Sequence, residues 1–284
     1  MKPLRLLLPY LCFPLFFAVS GAFAQDRIFN YAYQSLVLGA GQRELEVWNT
    51  FRWGHNEFYR AFDHRIEFEV GLSNRLQTAF YLNIQSASAK ELVSSNVQTE
   101  PGQFTTQPSA VLTTETELSF SNEWKYKFTD PIADPFGFAA YGEYEISSRG
   151  IELEPRLILD KSFGRTIVAF NASGEFEFEK AIDDEEGEHT EREAGIDLVL
   201  SGASNIAEGL YLGAEIVVKN GFDNGAFKYS ALFGGPTLSY AQENFWVNLT
   251  ILPQLTALKG ETRGGLVLDR LERIETRLLF SYAF

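Results

Sequence analysis

Three features of the sequence predict an all-β chain closed into a transmembrane, antiparallel up-and-down β-barrel of about twelve strands. Segment after segment carries apolar side chains at every second position, the period of a strand with two unlike faces. After residue 24 no apolar run reaches the roughly 18 residues a spanning helix needs. Aromatics nevertheless make up 14% of the chain, which suits girdles at the two membrane interfaces. A soluble β-sandwich shows the same alternation with its polar phase in water. It does not account for the two chain ends.

The carboxyl-terminal strand alternates Ile274, Thr276, Leu278, Phe280, Tyr282 and the final Phe284 with Glu275, Arg277, Ser281 and Ala283; Leu279 is the large apolar exception. Terminal residues usually fray into water, but an aromatic ending suits headgroup depth. This ending resembles the terminal assembly signal of bacterial outer-membrane β-barrels, although the glycine often found upstream in that signal is missing. The resemblance implies recognition by the barrel-assembly machinery. At the other end, Lys2 and Arg5 precede an apolar run from Leu6 to Val19, and Ala22-Phe23-Ala24 supplies a small-x-small cleavage pattern. Residues 1–24 read as a signal peptide cut before Gln25. The one cysteine, Cys12, lies inside it, and Pro9-Tyr10-Leu11 are too bulky for a lipobox. No disulfide then holds the exported chain.

Lysine and arginine total 24 against 38 acidic residues, a formal charge of −14, which disfavours nucleic acid as a partner. With 23 glycines and 10 prolines the chain has ample turn chemistry. Nothing in it reads as an interdomain linker, so residues 43–284 are expected to form one barrel. Before it, residues 25–42 (Ile28-Phe29-Asn30-Tyr31, then Leu36-Val37-Leu38 and Gly39-Ala40-Gly41) are too irregular for a spanning strand and read as a periplasmic lead-in that tucks into the barrel mouth. With Glu44-Leu45-Glu46-Val47-Trp48, this start resembles that of an uncharacterised, porin-like family of bacterial outer-membrane proteins, which carries no known activity.

The strands follow in order. Leu45, Val47, Phe51 and Trp53 open the first, and Phe62, His64, Ile66, Phe68, Val70 and Leu72 the second. Ser73-Asn74 turns into the third, with Leu76, Thr78, Phe80, Leu82 and Ile84 outward. The polar stretch from about Ser86 to Pro108 is expected to be an external loop. In the fourth strand Leu118, Phe120, Trp124, Tyr126 and Phe128 share a face, the last three as a membrane girdle together with Tyr282 and Phe284. Thr129 to Pro135 turn into the fifth (Phe138 to Ile146), and Ser147 to Gly150 into the sixth (Ile151 to Leu159). The seventh carries Val168, Phe170, Ala172, Phe176 and Phe178, and an acidic loop across 183–188 leads to the eighth, with Ala194, Ile196, Leu198 and Leu200. The ninth runs Leu210 to Val218, and Asn220 to Gly225 supply glycine-rich turn chemistry. The tenth spans Phe227 to Tyr240, the eleventh Phe245 to Leu255, and Lys259 to Gly265 form the last loop.

The charges fall on the other phase. Arg65, Glu67, Glu69, Arg75, Lys125, Glu143, Glu145, Glu152, Glu154, Arg156, Glu175, Glu177, Glu215, Lys219 and Arg277 are therefore expected to line the lumen, because Arg or Lys on the lipid face costs about 2–4 kcal/mol near the midplane. Such a lumen reads as a narrow, porin-like channel for small polar or cationic solutes. It reads equally as a side-chain-filled, non-conducting barrel whose loops bind a partner or lipopolysaccharide. Twelve strands also suit outer-membrane phospholipases, and His64 is the residue to test for a lipid-active enzyme. The chain reads His64-Arg65-Ile66, without the His-x-Ser of that family. No zinc spacing, nucleophile elbow or phosphate loop occurs. Outer-membrane lipid and no cofactor are the expectation; the acidic residues across 183–188 suit Ca²⁺ or simple solvation.

Overall fold

The computed structural model describes residues 27–100, 103–183 and 187–284. The signal peptide and its cleavage site lie outside them. Twelve strands run in chain order: β1 (Arg43–Trp53), β2 (Tyr59–Ser73), β3 (Leu76–Glu100), β4 (Gln103–Thr129), β5 (Gly137–Ser147), β6 (Gly150–Phe163), β7 (Thr166–Asp183), β8 (Gly187–Ala207), β9 (Leu210–Asp223), β10 (Ala226–Ala241), β11 (Phe245–Lys259) and β12 (Ile274–Ala283). Each pairs antiparallel with its sequence neighbours, and β1 closes on β12 from Glu44↔Ala283 to Trp53↔Ile274. Closure leaves no open edge where the twelve strands run side by side, and only the hairpin ends that outrun their neighbours, such as β3–β4, lie beyond that pairing. The start of β1 and the end of β12 lie at one rim, which we call periplasmic.

Alternation puts the greasy phase on the outside. Phe80, Leu82, Leu118, Phe120, Leu157 and Ile216 are all large and exposed on the outer wall. A soluble surface rarely tolerates so continuous an apolar band, whereas lipid requires one. Trp124, Tyr126, Phe128, Tyr282 and Phe284 stand exposed on the same wall, towards the periplasmic rim.

Two expected external loops are strand instead. Ser86 to Pro108 belongs largely to a β3–β4 hairpin paired out to Glu100↔Gln103, with one register shift after Gln98. Its Thr and Val residues suit a pleated ribbon as well as a loop, and local polarity does not distinguish the two. Likewise the acidic loop expected across 183–188 falls at the tip of the β7–β8 hairpin, whose strands pair out to Asp183↔Gly187, and residues 184–186 lie outside the described residues. The β9–β10 connection narrows to Asn224-Gly225, both with positive φ (48° and 80°), as a two-residue hairpin demands. Proline marks irregular places: the β6–β7 ladder skips from Leu153↔Phe176 to Arg156↔Ser173 around Pro155, which has no N–H to give.

The interior is partly filled. From the periplasmic rim, residues 27–38 run into the lumen rather than stopping at its mouth. Ile28, Phe29, Tyr31 and Ala32 pack there against Val199, Val217, Phe233 and Leu252 of the wall. From the opposite rim, the β11–β12 connection (260–273) folds inward and adds Val267 and Leu271 to the same cluster. A second cluster gathers Tyr33, Trp48, Tyr141, Ile158, Trp246 and Leu279 nearer the periplasmic end. Gly71 of β2 admits the segment's exit: its N–H donates to Gln42 O at 3.0 Å, and Gly41 N–H donates to Gly71 O at 2.8 Å.

Candidate functional site

The site is the lumen, and its organising group is Glu215 on β9, fully buried. Its Oε1 accepts Asn30 N–H at 2.9 Å, and its Oε2 accepts Tyr31 N–H at 2.9 Å and Ala32 N–H at 3.1 Å. Ser201 and Thr250 hydroxyls donate to the same carboxylate at 3.0 and 2.8 Å. Asn171 on β7 repeats the device, accepting Tyr33 N–H at 2.6 Å and donating to Tyr33 O at 3.0 Å. A non-helical, non-sheet backbone inside a barrel has its polar groups satisfied this way or not at all. The wall supplies side chains in place of a ladder.

Arginines bracket the same segment. Arg156 lies 4.3 Å over the Tyr33 ring and donates to Tyr31 O at 3.1 Å. Arg277 lies 4.3 Å over Tyr31 and donates to Asn30 O at 3.2 Å. Arg27, from the segment itself, sits 4.0 Å over Tyr33 and 4.2 Å over Trp48. Cations facing aromatic rings in a water-poor space are attracted more strongly than at a surface. Glu154 holds Arg156 at 2.6 Å, and Lys219 bridges Glu272 at 3.0 Å and Glu275 at 2.7 Å. Through Glu272 the inward-folded connection is tied to the wall. Tyr81 and Tyr141 donate short hydrogen bonds to Glu123 and Glu143.

Space is distributed unevenly. Cavities of about 300, 280 and 190 Å³ occupy the middle and outer parts of the lumen, lined by Glu145, Glu152, Glu175, Glu177, Asp197 and Arg52 among others. Near the periplasmic end a cavity of only about 10 Å³ lies between Arg27, Tyr33, Glu46, Glu69 and Lys125. Around the outer cavities, strand register joins acids in one cross-strand row: Glu145↔Glu152, Glu152↔Glu177, Glu177↔Glu193 and Glu193↔Asp223. Five neighbouring strands thus carry a row of carboxylates. A second row, Glu123↔Glu143↔Glu154, lies nearer the periplasm.

Of the residues expected to line the lumen, Arg65, Glu67, Glu69, Lys125, Glu143, Glu145, Glu152, Glu154, Arg156, Glu175, Glu177, Glu215, Lys219 and Arg277 project inward. Arg75 does not; it is exposed in the Asn74-Arg75 turn at the rim, where the period-two count no longer applies. The expected lining left out Glu46, Arg52, Asp197 and Glu275, although each stands on the polar phase of its strand, and sequence reasoning missed Arg27, Glu272 and the inward rings of Tyr33, Trp48, Tyr81 and Tyr141. Large apolar residues on the charged phase, such as Val199, Val217 and Leu279, were the available clue that something packs against them.

His64 is half-buried on the outward phase, its Nδ1 2.9 Å from Asn49 Oδ1. Among the described residues no serine hydroxyl is hydrogen-bonded to it, so the nucleophile of a hydrolytic triad is not in place. The side chains across 183–188 lie outside the described residues. Two rim groups have displaced pKa values. Burial and then the charge of Arg52 push His55 down to about 4. Slight burial raises Asp130, but the N–H groups of Ile132 and Ala133 and the Lys127 ammonium outweigh it and hold the carboxyl low.

With this geometry in view, comparison with known proteins gives a family and a fold. Residues 21–284 match the model described as "Family of unknown function (DUF6662)", and the chain belongs to that family. No curated protein shows significant similarity to the sequence. Among solved structures it is similar to the COG4313 outer membrane channel from Pseudomonas putida F1, with a TM-score of 0.58 at 10% identity over 88% of this chain and 98% of that one. It is also similar to the NanC porin (TM-score 0.51, 13% identity, 84% and 98% coverage). A third is the translocator domain of the autotransporter NalP from Neisseria meningitidis (TM-score 0.52, 10% identity, 87% and 89% coverage). The fold is that of bacterial outer-membrane β-barrels, and the family is porin-like in architecture.

Proposed function

We propose that this member of the family sits in the bacterial outer membrane as a narrow channel for small polar or cationic solutes. The observation that carries the reading is the row Glu145, Glu152, Glu177, Glu193 and Asp223 around the outer cavities. Carboxylates facing a confined water space raise the local concentration of cations, as acidic rings do in cation channels. A solute entering from outside meets this row first, then the mixed cavity bounded by Arg65, Arg156 and Arg277. Its way on to the periplasm passes the docked segment, which sets the width.

The test is planar-bilayer recording of refolded protein under a salt gradient. The reversal potential should report cation preference, and the triple replacement Glu152→Gln, Glu177→Gln and Glu193→Gln should reduce it. A channel that prefers chloride, or whose selectivity ignores these three residues, contradicts the proposal.

A second reading is favoured by the packed periplasmic half, where Ile28, Phe29, Val267 and Leu271 leave little room. In it the barrel does not conduct and presents its long hairpins to lipopolysaccharide or another surface partner. Absence of current from wild-type protein, with current on deletion of residues 25–38, would select this reading.

A further inference from the structure

Near the periplasmic rim, β1 and β2 set like charges directly opposite each other. Glu46 faces Glu67, and Glu44 faces Glu69. Directly opposed like charges destabilise a strand pair unless positive charge lies between them. All four side chains are buried, none more than 6% exposed. Glu44 is answered by the Trp246 indole N–H and the Ser281 hydroxyl. Glu46 Oε2 accepts Trp48 Nε1–H at 2.8 Å and lies 3.8 Å from Arg27. Glu69 Oε2 accepts the Gln77 amide at 3.3 Å. Glu67 differs: at 1% exposure, neither of its oxygens has a hydrogen-bond partner. An ionised carboxylate taken from water needs a counter-ion or donors, and a bare one is strongly unfavourable.

One oxygen from each of Glu46, Glu67 and Glu69 lies within 4.8 Å of the others. Oxygen ligands sit about 2.3–2.6 Å from Ca²⁺, so two on opposite sides of the ion stand up to about 5 Å apart. Mg²⁺ demands near-ideal octahedral geometry and gives up its waters reluctantly, so a cluster of buried carboxylates suits it less. The small cavity touching Glu46 and Glu69 has room for about one water-sized particle. We propose that Glu46, Glu67 and Glu69 form a Ca²⁺ site that ties β1 to β2 beside the seam where β1 meets β12. The ion's two charges add to those of Arg27 and Lys125, the cations already bordering this cavity, against the buried carboxylates of Glu44, Glu46, Glu67 and Glu69. Because Arg27 belongs to the lumen-filling segment, the site joins that segment to the wall where the barrel closes. The inference does not depend on whether the barrel conducts.

Terbium luminescence tests it, since Tb³⁺ takes Ca²⁺ sites and is sensitised by a nearby indole, here Trp48. Refolded protein stripped with EDTA should show saturable, tryptophan-sensitised Tb³⁺ emission that Ca²⁺ displaces and Mg²⁺ displaces far less well. Ca²⁺ should also raise the unfolding temperature. Glu67→Gln should weaken Ca²⁺ competition by about tenfold or more, because affinity follows the count of charged ligands. Trp48→Phe should reduce the emission markedly, Trp246 beside Glu44 sensitising the remainder, while keeping a Ca²⁺-dependent rise in unfolding temperature. If Glu67→Gln does not fold, the wild type and Trp48→Phe still decide. Emission unchanged by Trp48→Phe places the ion elsewhere, the acidic hairpin tip included, and overturns the proposal. So does a wild-type barrel whose unfolding temperature ignores Ca²⁺, the behaviour expected if protons alone neutralise the cluster.

Discussion

Replacing Glu215 by glutamine should release the amino-terminal segment from the barrel interior. The carboxylate accepts three successive backbone N–H groups, Asn30 through one oxygen and Tyr31 and Ala32 through the other. Glutamine keeps one oxygen. With its nitrogen in place of Oε1 it confronts Asn30 N–H, and in place of Oε2 it confronts both other donors. The first orientation is the cheaper, because the Thr250 hydroxyl there can rotate to accept. It still leaves one buried donor unsatisfied, at about 1–3 kcal/mol, and turns two charge-assisted bonds into neutral ones at about 1 kcal/mol each. Glutamine buries without the desolvation penalty of a charge, which offsets part of this. A net of about 2–4 kcal/mol remains, or about 30- to 1,000-fold in the docking equilibrium. Ser35 is wholly buried, and Cys12, the sequence's one cysteine, lies in the expected leader. The thiol introduced by Ser35→Cys should therefore react slowly with a water-soluble maleimide, and faster by about that factor when Glu215→Gln is added. Equal labelling rates in the two backgrounds would show that Glu215 does not hold the segment.

The same segment can be displaced from its other end. A Cβ on Gly71 would overlap Gly39 O and stand 2.6 Å from Leu38 O, so Gly71→Ala should raise Ser35→Cys labelling while the purified barrel keeps its β-sheet circular dichroism; unaltered labelling counts against the close approach. On the outer wall, Ile216→Arg should cost about 2–4 kcal/mol in denaturant unfolding from lipid vesicles, since Ile216 is exposed midway along β9; a cost near zero would put that face out of the hydrocarbon. His55 stacks on Tyr59 with ring centroids 3.6 Å apart, and its folded pKa of about 4 lies below the usual 6.5. The neutral ring is thus the one the β1–β2 connection favours. Its contribution is intact above about pH 6.5 and is lost progressively as the pH falls towards 4. An NMR titration of His55 with a midpoint near 6.5 would contradict this.

Most of the wall was legible because a strand's two faces repeat every second residue whatever lies around them. Phe62 to Leu72 in β2 and Ile274 to Phe284 at β12 could be assigned outward from alternation alone, and their polar partners inward. The count fails where backbone leaves the pleat, as at Arg75 in its turn. Composition failed at the hairpin tips, because a ribbon continuing beyond the membrane has water on both faces and its sequence turns polar like a loop. The inward groups off the strands were not legible either. Arg27 and Glu272 belong to segments without periodicity, whose position depends on partners more than 180 residues away, such as the Glu215 that receives Asn30.

By itself, then, the sequence determined that this chain forms a closed β wall with a lipid-compatible exterior, since burial of alternate side chains is a local property that adjacent residues settle. It also determined that the interior is ionic and acid-leaning. Only the tertiary structure decided what occupies that interior, and that carboxylates on five neighbouring strands join in one cross-strand row. Both depend on inter-strand register and on an irregular segment finding donors and acceptors around the circumference. Those relations arise between residues far apart in the chain, and no spacing along it encodes them.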